Sequence, residues 1–175
     1  MMYISKRAPV IFWILFTHLA FAGSLRDIGS NSGIVACTTQ DCLDIQHVMD
    51  LYHEAVIVHD GARLATLFIP EGSAWLNVLS DDAYARAKTK SPNAAKIRVG
   101  NFRDFAELVS RGKANFNPTH SKVQIQSDGT IACVYFDFVF FSDGKEVNRG
   151  SETWQLVKGT DGWKIAAITY SSNPT

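Results

Sequence analysis

Three Asp-Gly pairs, at 128–129, 143–144 and 161–162, divide the last third of the chain into runs of β-branched and aromatic residues. Asp-Gly reverses a chain tightly because both residues tolerate a positive φ, and flanking runs of this composition prefer extended backbone. The pattern predicts four antiparallel strands in a meander. The first two thirds have a different period. From Asp44 to about Val58 the apolar positions Ile45, Val48, Met49, Tyr52, Ala55 and Val56 fall on one helical face, with Asp44 as cap and His59-Asp60-Gly61 as the stop. A short helix over 62–68, a strand over 73–78, a helix near 82–88 and a helix over 102–111 capped by Asn101 follow. Helices first and a meander after predict an α+β fold, with helices packed on one face of an antiparallel sheet.

The 175 residues are enough for one domain with a sizeable core. Hydrophobic residues make up 46% and charged residues 19%, a balance that excludes a disordered chain. A formal net charge of zero gives no electrostatic footprint for nucleic acid or an acidic membrane. Residues 1–22 read as a cleavable signal peptide: Lys6 and Arg7, an apolar run, then Ala-Phe-Ala before Gly23. Cleavage there implies a periplasmic or secreted protein with no remaining membrane segment. Residues 23–42 read as a flexible leader, and 43–175 as the domain. An export route permits a disulfide between Cys37 and Cys42, while Cys133, in an apolar strand, reads as a core thiol. Beyond Cys37 and Cys42, no second Cys pair or His pair stands at metal-ligand spacing, and no phosphate loop, dinucleotide fingerprint or nucleophile elbow is present. Neither a metal nor an organic cofactor is expected.

A carboxylate inside Val134-Tyr-Phe-Asp-Phe-Val-Phe-Phe141 needs a reason. Treating Asp143-Gly144 as a two-residue hairpin turn sets Ser142 opposite Lys145, then Gly150 opposite Asp137, Glu152 opposite Tyr135 and Trp154 opposite Cys133. One face then carries Cys133, Tyr135, Asp137, Glu152 and Trp154. The other carries Val134, Phe136, Phe138 and Phe140. Asp137 and Glu152 become diagonal neighbours on an apolar face, where desolvation and mutual repulsion raise carboxyl pKa values. The plain alternative is that Asp137 pairs with an arginine (98, 103 or 149) or faces water. Two apolar faces, with helices for only one, predict a homodimer through the sheet.

The helix holding Val48-Met-Asp-Leu-Tyr-His-Glu-Ala-Val-Ile-Val-His-Asp60, the following Pro70-Glu-Gly-Ser-Ala-Trp-Leu-Asn-Val78, and a meander ending Asp161-Gly-Trp-Lys-Ile-Ala-Ala-Ile-Thr-Tyr-Ser-Ser172 resemble the nuclear-transport-factor-2-like (NTF2-like, or SnoaL-like) superfamily over roughly residues 43–171. The resemblance implies a cone-shaped domain: a strongly curved sheet wrapped around a long helix, a pocket between them, and frequent dimers. Members include isomerases, dehydratases, cyclases, epoxide hydrolases and non-catalytic binding modules, so the fold alone leaves function open. Set against the ketosteroid isomerase branch, the tyrosine donor falls on Tyr52 and the protonated acid on Glu152. The general base falls near Asn77, which cannot take a proton, so Asp137 or His120 would have to serve.

Trp75 and Trp154 are the aromatic candidates for a ligand wall, and Trp163 reads as core. His53 reads as solvated, and His59 as a helix-end residue. Residues 88–96 read as a loop or lid. The expected function is binding of a small, largely apolar molecule in the cone, with Asn77, Trp75, Tyr135 and Trp154 as ligand contacts. The alternatives are a cofactor-free isomerase, dehydratase or cyclase using Tyr52, Glu152, Asp137 and His120, and a non-catalytic dimerisation module with a filled cone.

Overall fold

The computed structural model describes residues 38–71 and 73–175. The expected signal peptide, most of the leader and Cys37 lie outside the described residues. Helix α1 (Gln40–Ile57) starts a turn earlier than the periodicity marks, because the Thr39 side chain, not Asp44, accepts from the Cys42 N–H and caps it. Then come α2 (Gly61–Ala65), β1 (Ala74–Leu79), α3 (Asp81–Lys90), β2 (Ile97–Gly100) and α4 (Phe102–Arg111), capped by Asn101 through the Asp104 N–H. β2 is a strand the sequence reading lacked: it is four exposed residues with no alternation to mark it. The meander follows as β3 (Phe116–Ser127), β4 (Ile131–Ser142), β5 (Lys145–Gly159) and β6 (Gly162–Ser172).

The strands form one open sheet in the order β2-β1-β6-β5-β4-β3. β1 runs parallel to β6, and every other pair is antiparallel. The core is the helix side of the sheet. Ile45, Met49, Ala55 and Val56 of α1, Leu64 of α2 and Val109 of α4 pack with Val134, Phe136, Trp154, Ile165 and Ile168, all at 0–1% exposure. α2 and α4 approach closely at Gly61, where a Cβ would fall 2.0 Å from the Ala106 carbonyl oxygen.

The hairpin register differs from the expectation by one residue, for a local reason. Asp143 and Gly144 both have positive φ, and Ser142 does face Lys145. Phe141 then faces Glu146, but Phe140 faces Asn148, leaving Val147 as an extra residue in β5. Beyond this bulge every β5 side chain changes face relative to simple counting. Phe136 is opposite Glu152, Val134 opposite Trp154, and Asp137 opposite Ser151. Glu152 and Trp154 therefore join Phe136 and Phe138 on the helix side. Asp137, Tyr135 and Cys133 are on the outer side. The expected Asp137–Glu152 pair does not form, and Cys133 is an exposed thiol rather than a core one.

Candidate functional site

Residues directly opposite one another across the inner face run Asn77 on β1, Tyr170 on β6, Glu152 on β5 and Phe136 on β4. The neighbouring row runs Trp75, Ile168, Trp154 and Val134. Tyr52 descends from α1 onto this surface, its ring 4.9 Å from that of Trp154 and stacked on Phe105 at 6.1 Å. Between α1, α4 and the sheet lies a cavity of about 380 Å³. Trp75, Phe105, Phe138 and Phe140 supply its apolar wall, and Tyr52, His120, Asn148, Glu152 and Tyr170 its polar groups. Asn101, Asp104 and Leu108, at the start and along one side of α4, form its rim. Residues 88–96, expected as a loop or lid, do not line the cavity.

The polar groups have unusual environments. Burial lifts the Glu152 carboxyl to about 7, against the opposing pull of the Trp154 indole N–H, which donates to Oε1 at 2.5 Å. With Oε1 occupied, a proton on this acid belongs on Oε2. Tyr52 is held well above the ordinary phenol range by burial and by the nearby Glu152 and Tyr170, so it remains a donor at neutral pH. His120, on β3 and facing Phe138, is pushed down to about 4 by burial and by His53, with Asp50 pulling the other way. It is therefore a neutral imidazole. Its ring lies 4.5 Å from Phe136 and edge-on to His53 at 5.9 Å, so His53 is half-buried against it rather than free in solvent.

The structure brings together Tyr52, Glu152, His120 and Trp75 of the expected site, with Trp154 directly beneath as the partner of Glu152. Two expected members are elsewhere. Asp137 accepts from Ser151 Oγ at 2.9 Å and pairs with Lys122 at 2.8 Å, and these hold its carboxyl below the usual range. Tyr135 is 41% exposed on the same outer face. Asn77 is on the inner face but behind Tyr170, donating from Nδ2 to its hydroxyl at 3.0 Å. Sequence reasoning missed Tyr170, Asn148 and Phe105. Tyr170 carries a signal in principle, because it lies in the last strand of the meander. Placing it beside Glu152 requires the β5–β6 register, which itself shifts between Gln155 and Leu156.

No family model matches the chain, and no curated protein matches it in sequence. Solved structures do match in shape. An NTF2-like protein of unknown function from Shewanella baltica is 17% identical with a TM-score of 0.56, covering 78% of this chain and 96% of that one. An NTF2-like protein with a cystatin-like fold from Novosphingobium aromaticivorans is 13% identical with a TM-score of 0.53, covering 75% and 80%. A protein from the same organism, provisionally assigned as a scytalone dehydratase, is 16% identical with a TM-score of 0.56, covering 75% and 83%. At such identities the likeness is one of fold: six strands in one open sheet, with helices on one face, form the NTF2-like, cystatin-like α+β fold, and this chain has it.

Proposed function

We propose that the protein binds a small, largely apolar molecule carrying a carbonyl or hydroxyl oxygen, and performs cofactor-free acid–base chemistry on it. The observation that carries this reading is a pair of groups displaced in opposite directions within one cavity: Glu152 raised to about 7 and His120 lowered to about 4. Ordinary values would leave the acid ionised and the histidine partly charged at neutral pH. Here the carboxyl holds a proton much of the time and the imidazole holds none, so one can donate while the other accepts. Tyr52 and Glu152 would hydrogen-bond the oxygen on which charge develops, and His120 would take a proton from the adjacent carbon. Return of that proton to another carbon is an isomerisation. Loss of a neighbouring hydroxyl with the Glu152 proton, as water, is a dehydration. The fold-level neighbour provisionally assigned as a dehydratase agrees with this class without deciding it.

The test is deuterium exchange. A panel of small cyclic ketones and β-hydroxyketones is incubated with the protein in D2O, and exchange at the carbon next to the carbonyl is followed by NMR. Exchange that needs both Glu152 and His120 supports the reading. Binding without exchange across the panel leaves the plain binding function, which the apolar wall favours by itself.

We further propose that the outer face is where two copies meet. Val99 and Ile97 are 82% and 59% exposed there, in line with Leu76 and Val78 of β1, and Tyr135 lies across the same face. Sedimentation of the wild type against Val99→Lys tests this, with a shift to monomer as the supporting result.

A further inference from the structure

The inner face of the sheet continues past the cavity on the side of β1 and β2. The cross-strand row that holds Glu152 and Tyr170 runs on through Asn77 to Arg98 on β2. At about 4.8 Å per strand, the Arg98 Cα is about 10 Å from that of Tyr170 and about 14 Å from that of Glu152. Two residues along the same face of β2, Gly100 lines the cavity itself, opposite Trp75. A Cβ on Gly100 would fall 3.2 Å from the Trp75 ring, and with glycine there β2 raises no side chain over it. Arg98 lines a second hollow of about 310 Å³, with Leu79 of β1 and Ala83, Arg86, Ala87 and Lys90 of α3. Positions 83, 86, 87 and 90 form one face of a helix, so the period of α3 itself sets Arg86 and Lys90 on the hollow. Three cations therefore meet over an apolar floor. Among the described residues none of the three has a carboxylate within ion-pair distance. Asp81, at the start of α3, is taken by Lys96. Arg86 donates to the Pro174 carbonyl oxygen, which orients the guanidinium without neutralising it. The Arg98 charge also reaches the cavity, where it acts on Tyr170 against the effect of burial.

We propose that this second hollow seats a carboxylate at the far end of the ligand: the apolar body lies in the cavity, and Arg98, Arg86 and Lys90 hold the acid group. The inference rests on the cavity as the site of a small apolar molecule and narrows that molecule to an elongated amphipathic acid. Two guanidinium groups favour a planar carboxylate, which accepts two parallel N–H bonds from each fork. Like charges gathered at one hollow repel until an anion joins them, so the hollow selects for negative charge. The cavity selects against it. Its carboxyl groups are Glu152 and, at the rim, Asp104, and its wall is aromatic. An amphipathic acid therefore has one favourable orientation, with its neutral end beside Glu152 and its charged end beside Arg98.

The test is calorimetry of the purified protein with two probes of equal shape, 6-phenylhexanoic acid and its primary amide. At about pH 6 a carboxyl of ordinary value is ionised, while Glu152, at about 7, still holds its proton. The wild type is expected to bind the acid roughly fivefold or more tighter than the amide, the upper end for an exposed ion pair, and added salt should narrow the difference. Arg98→Gln should remove most of this preference. Arg86→Gln combined with Lys90→Gln should do the same, and both proteins should keep the wild-type affinity for the amide. Lys122→Gln, which removes a charge from the outer face, should leave the preference as it is. Amide affinity and thermal melts establish that each variant is folded. Equal binding of acid and amide by the wild type overturns the inference and leaves the apolar cavity as the site. So does a preference that survives either set of substitutions in the hollow, or one that Lys122→Gln also abolishes. Binding of neither probe overturns the inference together with the reading of the cavity on which it rests.

Discussion

Glu152 and Asp137 point to opposite faces of one sheet, and their carboxyl groups are shifted in opposite directions. Glu152 lies over Trp154 in the cavity and is raised to about 7; Asp137 lies outside, lowered by hydrogen bonds from Lys122 and Ser151. Two acids that look alike in the sequence are thus a buried cavity carboxyl and a surface ion pair.

The pH dependence of stability should carry the signature of Glu152. Its folded value, about 7, is above the ordinary 4.5, so the folded state binds the proton more tightly than the unfolded chain. Relative stability is fully present below about 4.5, declines as the pH rises towards 7, and levels off above it. Urea unfolding of Glu152→Gln should show the variant gaining on the wild type across that window, by at most about 3 kcal/mol at pH 8, from a shift of roughly 2.5 pH units. Parallel curves at pH 4 and pH 8 would count against a raised Glu152.

Trp154→Phe keeps an aromatic ring but removes the N–H on Oε1. Because that bond opposes the burial shift, the Glu152 midpoint should move above about 7, read from its carboxyl carbon by NMR. Trimming a fully buried indole also leaves a gap, so stability should fall by about 1–3 kcal/mol.

Asp137→Asn should leave exchange activity and probe binding as they are. Its partner Lys122 is 77% exposed, and pairs of this kind contribute little to stability. Loss of activity in this variant would contradict the face assignment of β4.

Gly150→Ala should be costly despite its small size. A Cβ there would fall 2.1 Å from the Ser171 carbonyl oxygen, a backbone atom of the neighbouring strand that has no rotamer to change. The expected loss is about 1–3 kcal/mol by thermal melt. The displaced β5–β6 edge adjoins the Glu152–Tyr170 pair, so probe affinity should fall as well.

Deleting Val147 is the direct test of the bulge. Asn148 already faces Phe140 and Glu146 already faces Phe141, so the shortened hairpin would pair regularly with the same side chains inward. The variant should fold, keep Glu152 in the cavity and retain its titration midpoint near 7. A cavity without Glu152 would show that the bulge is required.

The chain's own order of residues determined the class of the fold. Helical spacing at Ile45, Val48, Met49, Tyr52 and Val56 and the Asp-Gly turns are local signals, and they mark α1, apart from the extra first turn that the Thr39 cap adds, and the four meander strands. Tyr52 as a group facing the sheet was legible for the same reason, since its face follows from a 3.6-residue period within one helix. Which acid shares its cavity was not. Simple counting back from Asp143-Gly144 holds for Ser142 and Phe141, then fails at Val147, because whether an extra residue is absorbed in the turn or bulged from the strand depends on how both strands pack. A strand has a two-residue period, so that single insertion put Asp137 and Glu152, which simple counting places on one face, on opposite faces of the sheet. The Tyr170–Asn77 bond spans 93 residues and two further strand pairings, β5–β6 and the parallel β1–β6. No local pattern encodes contacts of that range: they exist only once the sheet has closed ranks around the core, and with them come the burial and the hydrogen bonds that set the chemistry of the cavity.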